Sequence, residues 1–265
     1  MTSIASCTPN KPLLVLNTAE SRVQFAVGTR DRLLFAQQTE IQARTMQILP
    51  PAVQSCLGRL HLQVSDLDRV VVVRGPGTFT GIRVGMAFAL GLARGGQVPL
   101  AGLDYLPLLA QAPGGLLQGT LWVCTHARQN LVNAQAFAVP QLRCLSPARC
   151  QTREEAVETM QAGTGKVYVL GSGLRRDLDW WSSRLQISFL DPVWDVPKPD
   201  DLVQAAWEAS CGLKHIFPSY LRPSDAELQL ERIARDRGVD PHAVRQAIPA
   251  FETDPGQRQN LPGDG

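Results

Sequence analysis

The sequence predicts an α/β protein of two lobes, each built on a mixed central sheet, and three observations carry that prediction. Consecutive apolar residues at 13–16 (LLVL) and 70–73 (VVVV) have the pattern of strands buried on both faces, because a sheet with one wet face would alternate. Between and after them come stretches with helical spacing, so strands and helices interleave along the chain. A segment rich in turn residues at 111–119 (QAPGGLLQG) then divides the pattern in two. At 265 residues and 44% hydrophobic content, the chain is long enough for one large domain or two smaller lobes with real cores.

Taken in order, residues 13–17 (LLVLN) form a first strand, and 22–28 (RVQFAVG) alternate and end at glycine as a second. Asp31 and Arg32 turn the chain into a third strand at 33–37, which completes an antiparallel meander. Residues 45–60 have helical spacing, with Met46, Leu49, Val53 and Leu57 on one face. Pro50 and Pro51 lack N–H donors, so the regular helix is expected to start near Ile48 and hold both prolines in its first turn. Ser65 and Asp66 lead into a strand at 67–74. The block 75–81 (GPGTFTG) reads as a Gly-rich turn and 82–93 (IRVGMAFALGLA) as the helix after it. Gly81, Gly85 and Ala89 recur along that helix at intervals of four, a bare stripe that another backbone can approach. A strand at 99–102 and a helix capped by Asp104 and running through Ala110 close the first lobe.

The second lobe opens with strands at 121–125 and 131–138 around a turn at 128–130. A helix at 152–161 carries Glu154 and Glu155 in its first turn, where the helix dipole favours them. A strand at 167–170 ends in Gly171-Ser172-Gly173, an extended Pro-rich stretch covers 192–199, and an amphipathic helix covers 200–210. Residues 218–222 (PSYLR) close the globular part. The expected division is 1–111 for the first lobe, 112–223 for the second, with the helix near 200–211 packing back on the first, and 224–265 as a helical then disordered tail. The order β-β-β-α-β-α-β followed by a second lobe is the plan of the actin-like/Hsp70-like/RNase H-like superfold, which by itself assigns no function.

Composition excludes several classes. A formal net charge of +2 leaves no broad basic footprint for a phosphate backbone, and the Arg residues are scattered. The six cysteines, at 7, 56, 124, 144, 150 and 211, include no C-x-x-C pair, so reduced thiols are expected rather than a zinc site or a disulfide scaffold. The longest apolar stretch, 84–93, is far below the roughly 20 residues of a membrane helix, and no secretory signal is read at the start. The expected location is cytoplasmic, with no membrane partner.

Residues 72–93 (VVRGPGTFTGIRVGMAFALGLA) strongly resemble the signature block of the TsaB (YeaZ) family, in which Gly-Pro-Gly-Ser/Thr-Phe/Tyr-Thr-Gly-aliphatic-Arg precedes a helix of small residues. Three weaker blocks follow the family's order: 13–19 (LLVLNTA), 44–53 (RTMQILPPAV) and 218–222 (PSYLR), so the resemblance covers about 13–223. It implies a subunit of the bacterial tRNA threonylcarbamoylation machinery. There a TsaB protein pairs with TsaD, the paralogue that transfers threonylcarbamoyl to the adenosine beside the anticodon in tRNAs reading ANN codons. TsaE, an ATPase, joins them, and a separate enzyme makes the threonylcarbamoyl-adenylate. The resemblance further implies no catalytic residue, cofactor or metal in this chain, with tRNA met only through the complex.

Pairing in that family uses the first two helices of the first lobe, which form a homodimer when TsaD is absent. Carried onto this sequence, the partner surface comprises Met46, Leu49, Val53, Leu57, Gly81, Arg83, Gly85, Met86, Ala89 and Leu90. A small-residue stripe would let a partner helix approach to about 8 Å, and Met46 and Met86 would add adaptable contact. The same stripe could instead pack on the lobe's own sheet. On the partner reading, Gly85→Arg is expected to block pairing.

Rival chemistry is thinly supported. GPGTFTG precedes a helix N-terminus and could cradle a phosphate through Gly75, Gly77 and Thr78, near Asn17. Its spacing is not that of dinucleotide folds, however, and it lacks the Lys-Ser/Thr of a P-loop. Asn17 and His126 stand where the family carries Asp, and neither offers the charged oxygen that Mg²⁺ prefers. The catalytic, metal-dependent paralogue, once labelled a glycoprotease-like peptidase, carries an H-x-x-x-H pair that His61, His126, His215 and His242 do not form. A small-molecule kinase of the superfold is opposed by Asn17. Asp191, Asp195, Asp200 and Asp201 read as a solvated acidic loop rather than a metal site, and Cys144 and Cys150 as inert thiols.

Overall fold

The computed structural model describes residues 11–40, 44–210, 216–222, 233 and 240. The first lobe is built on strands β1 (Leu13–Asn17), β2 (Arg22–Gly28), β3 (Leu33–Glu40), β4 (Val70–Gly75) and β5 (Leu100–Asp104). They lie in the order β3-β2-β1-β4-β5, the first three antiparallel and β1, β4 and β5 parallel. The second lobe comprises β6 (Gly119–Arg128), β7 (Leu131–Val139), β8 (Arg143–Cys144), β9 (Arg149–Thr152), β10 (Val167–Leu170) and β11 (Ser188–Phe189). Its order is β11-β10-β6-β7-β8, with β9 also on β7. Each sheet thus places its first strand centrally, an antiparallel meander on one side and two parallel strands on the other. This repeated plan is the two-lobed actin-like/Hsp70-like/RNase H-like architecture.

Seven helices fill the space around the sheets: α1 (Thr45–Arg59), α2 (Phe79–Gly96), α3 (Tyr105–Gly114), α4 (Arg153–Gln161), α5 (Ser172–Arg175), α6 (Leu178–Ser182) and α7 (Pro199–Glu208), all among the described residues. The result is five layers. Successive strand residues point to opposite faces, so Leu14, Leu16, Val70 and Val72 pack beneath α1 and α2, while Leu13, Val15, Val71 and Val73 enter a central core with α3 and α7. In the second sheet Leu121 and Val123 join that central core, and Trp122 and Cys124 face α4 and Trp181. Both faces of both central strands are therefore dry, which is why their sequences run apolar without alternation. Helix α7 packs on β1, β2 and β3, so the end of the described chain returns to the first lobe.

Several boundaries differ from the sequence expectation. Helix α1 starts at Thr45, which moves Pro50 and Pro51 out of the first turn and into the second. The carbonyls they leave without an N–H partner belong to Met46 and Gln47, which are exposed and can take water. Helix α2 begins at Phe79, inside the Gly-rich block, because that block is already the helix's first turn. Asp104 occupies the N-cap position of α3 but makes no cap bond; Arg74 takes its carboxylate with two N–H groups at 2.8 and 3.3 Å. Helix α3 continues to Gly114, so the expected linker shrinks to 115–118. In the Pro-rich stretch, Pro192–Asp195 is a 3₁₀ turn whose first N–H is capped by Asp191. The expected features of 224–265 lie outside the described residues, apart from Ile233, which is helical, and Asp240.

Two helix ends have clear local causes. His61 closes α1 in the left-handed region at φ 54°, with Leu62 N–H donating to the Leu57 carbonyl and His61 N–H to that of Gly58, a Schellman stop. Helix α4 opens with a capping box: Thr152 Oγ1 accepts the Glu155 N–H at 3.2 Å, and Glu155 accepts the Thr152 N–H at 2.7 Å. Thr152→Ala is expected to cost about 1 kcal/mol, read as a shift in urea midpoint at unchanged slope.

Candidate functional site

The Gly-rich block is pressed against the turn that follows β1. A Cβ on Gly77 would overlap the Ala19 backbone, and one on Gly81 would overlap the Thr18 carbonyl oxygen. Thr78 N–H donates to the Ala19 carbonyl at 2.6 Å, and Thr18 Oγ1 donates to the Gly81 carbonyl at 2.8 Å. On the other side, Gly75, at φ 121°, lies against the Ser219 carbonyl, while Ser219 N–H donates to the Arg74 carbonyl at 2.8 Å. The phosphate-cradle reading of Gly75, Gly77 and Thr78 is corrected accordingly: the close approach that glycine permits is used by the protein's own backbone. Asn17 is likewise occupied. Its Oδ1 accepts the Ala19 N–H at 3.1 Å, and its Nδ2 donates to Gln24 Oε1 at 3.3 Å, a bond an aspartate could not make.

The same block anchors the PSYLR segment. Phe79 stacks on Tyr220 with ring centroids 4.7 Å apart, Arg83 lies 3.7 Å over the Phe79 ring, and Arg83 Nε donates to the Tyr220 hydroxyl at 3.0 Å. Two motifs far apart in sequence are thus one packed unit, with Arg83 at its surface.

Helices α1 and α2 lie side by side over the sheet, and burial sorts the proposed partner residues into two groups. Leu49, Val53 and Leu57 are 0%, 2% and 6% exposed and form the core beneath α1. Gly85 and Ala89 are buried as well, and a Cβ on Gly85 would overlap Thr18 Oγ1. The Gly81–Gly85–Ala89 stripe therefore seats α2 on its own sheet, and these six positions, Gly81 included, are corrected from surface to core packing. Met46 at 56%, Leu90 at 38% and Arg83 remain exposed, and Met86 is half-buried.

Sequence reading missed the opposite face. Positions two apart on a helix differ by about 200° in direction, so Arg83, Ala87, Gly91 and Gly95 point outward wherever Gly81, Gly85 and Ala89 point in. Ala87, Gly91 and Gly95 are exposed, and a Cβ on Gly91, Gly95 or the neighbouring Gly58 of α1 would meet nothing within 4 Å. Beside this bare face runs a groove of about 480 Å³, lined by Met86, Leu90, Arg94, Val98, Ile216 and Phe217. The signal was present in the sequence as a second small-residue series offset by two.

A polar cluster sits between the lobes. Glu20, in the turn after β1, accepts a hydrogen bond from the Tyr105 hydroxyl at 2.9 Å and another from Ser172 Oγ. Ser172 Oγ also accepts the His126 N–H at 3.0 Å. Asp195, expected in a solvated loop, is instead buried: it accepts the Gly171 N–H at 2.8 Å and pairs with Arg175 at 2.6 and 2.9 Å. Burial pushes the Glu20 carboxyl above its usual range, against the lowering effect of its two hydrogen bonds. Burial, with Arg176 and Arg222 adding to it, holds His126 below the usual imidazole range. Among the described residues, no group of three or more His, Cys, Asp and Glu is placed to hold a metal ion. Cys56, Cys124, Cys144 and Cys150 are free thiols, and among the described residues no helix is long and apolar enough to cross a membrane. His215 and His242 lie outside the described residues.

A family model described as "TsaD: tRNA N6-adenosine threonylcarbamoyltransferase" matches residues 39–140. The chain is 33% identical over 124 residues to the tRNA threonylcarbamoyladenosine biosynthesis protein TsaB of Haemophilus influenzae, spanning 46% of this chain and 52% of that one. With the protein of the same name from Escherichia coli it shares 40% identity over 67 residues, 25% of this chain and 29% of that one. The chain therefore spans about half the length, or less, of these curated relatives. YeaZ from Pseudomonas aeruginosa has the same fold, with a TM-score of 0.64 at 22% identity over 80% of this chain and 100% of that one. A second Pseudomonas aeruginosa structure, described as similar to peptidase YEAZ, gives 0.66 at 23% identity with the same coverage.

Proposed function

We propose that the chain is a TsaB/YeaZ-type protein and the non-catalytic docking subunit of a tRNA threonylcarbamoyladenosine assembly, a reading supported by its similarity to the TsaB proteins and to the YeaZ fold. Its partner is a TsaD-type catalytic paralogue, and the docking face is the outward side of α2 with the exposed start of α1. The observation that carries this reading is the bare Ala87–Gly91–Gly95 face beside an apolar groove. Small side chains let a partner helix come close, Leu90 and Met46 supply apolar contact, and Arg83 and Arg94 edge the face with charge. In the absence of the paralogue the same face pairs two copies of this chain, since a self-complementary patch makes a two-fold dimer. A TsaE-type ATPase joins the assembled pair, and tRNA is met there.

Support for a non-catalytic role comes from the cleft, where the neutral Asn17 amide and the carboxylates of Glu20 and Asp195 are all engaged by protein groups. Reconstitution tests the proposal. The purified chain, supplied with tRNA, threonylcarbamoyl-adenylate and ATP, is expected to leave tRNA unmodified and ATP unhydrolysed. Modification should appear only when its organism's TsaD-type protein is added. Turnover by the chain alone would refute the reading.

A further inference from the structure

In open α/β sheets the ligand crevice lies beyond the carboxyl ends of the strands, where the chain leaves the central strand in two directions. In the first lobe that point is the end of β1, between antiparallel β2 and parallel β4. Across from it the second lobe presents the Gly171-Ser172-Gly173 turn, where β10 ends and α5 begins. Gly171 has φ 119°, and a Cβ on it would overlap the Cys124 backbone, so the turn is fixed tightly on β6. This turn carries two donors, the Gly171 N–H and the Ser172 hydroxyl.

Both groups are already taken by carboxylates of the chain itself. Asp195 accepts the Gly171 N–H, and Glu20 reaches over from the first lobe to accept from Ser172 Oγ. Tyr105, at the start of α3 and almost fully buried, holds the other Glu20 oxygen. The same hairpin is tied a second time, since Gln24 Nε2 donates to the Pro197 carbonyl at 2.7 Å inside the protein. We propose that Glu20 is a latch between the lobes, its carboxylate tying Tyr105 of the first lobe to Ser172 of the second and holding the crevice shut.

The groups acting on Glu20 are Ser172 from α5, Tyr105 from α3, Asp195 from the 3₁₀ turn and Arg22 from β2. Burial outweighs them and raises the carboxyl above its usual range. A group with a raised folded-state pKa contributes stability that is complete below its unfolded value and is lost as pH rises through the folded one. Glu20 therefore contributes most to folding in mild acid, while the hydrogen bonds from Ser172 and Tyr105, which lower its pKa, favour the ionised carboxylate. Glu20→Gln keeps a hydrogen-bonding side chain of the same shape and removes that titration.

Hydrogen exchange on the full chain tests the latch. In Glu20→Ala, amides at 19–22 and at 171–174 should exchange about tenfold faster together, as a local opening of both sides of the crevice. Glu20→Gln should hold wild-type protection and remove the contribution of Glu20 to the pH dependence of the melting temperature. Unchanged exchange at 171–174 in a folded Glu20→Ala protein would overturn the proposal. If Glu20→Ala fails to fold, Ser172→Ala decides it from the other lobe: faster exchange at 19–22 supports the latch, and unchanged exchange there overturns it.

Discussion

Gly77→Ala is expected to lower the melting temperature by about 6–12 °C. The added Cβ would overlap the carbonyl oxygen, carbonyl carbon and Cα of Ala19, all backbone atoms that cannot rotate away. Relief would require breaking the Thr78 N–H bond to Ala19 and moving the turn after β1, which also carries Thr18, Asn17 and Glu20. Overpacking of that kind costs about 3 kcal/mol. Gly91→Ala, inside α2 and with open space around its Cβ, is expected to stabilise by about 0.5–1 kcal/mol through helix propensity. The pair, measured by thermal and urea unfolding, separates glycines required by packing from a glycine that packing does not require. Equal effects at the two positions would refute the close packing of the Gly-rich block on the turn after β1.

That contrast also marks what was legible in the sequence. The apolar runs at Leu13–Asn17 and Val70–Gly75 announced buried strands because both sheet faces are covered, and the family block announced the corner between β4 and α2. Helical periodicity found α1 and α2 but could not assign their faces. Gly81, Gly85 and Ala89 and their outward neighbours Ala87, Gly91 and Gly95 form two small-residue series of one helix, and only the sheet's position distinguishes them. Likewise Leu49, Val53 and Leu57 are one apolar face whether it meets a sheet or a partner. Asp104 was a plausible cap by position, and Arg74, thirty residues earlier, took its carboxylate instead. The interlobe cluster left no local trace, since Glu20 meets Tyr105 and Ser172 across 85 and 152 residues of chain. Short elements such as β8, β11 and α5 are too brief to show a period at all.

Burial also decides which substitution can test docking. Gly85→Arg would drive a long cation into Thr18 and the sheet, so loss of binding there would only report damage to the fold. Gly91→Arg places the same side chain on the outward face, where its Cβ meets nothing within 4 Å, and it gains helix propensity over glycine. At the centre of a close helix contact it should cost at least about 2 kcal/mol of binding, roughly thirtyfold in Kd, and act on the self-paired dimer as well. Thr164→Arg, exposed in the second lobe after α4, is a charge-matched control expected to change binding little.

The most direct measurement is therefore the affinity of wild type and Gly91→Arg for the TsaD-type protein of the same organism, with unfolding curves recorded on both. The predicted result is a stable wild-type complex, a loss of roughly thirtyfold or more in the variant, and a variant at least as stable as wild type. Undiminished binding by a folded Gly91→Arg protein would contradict the claim that the outward face of α2 is where this subunit meets its partner.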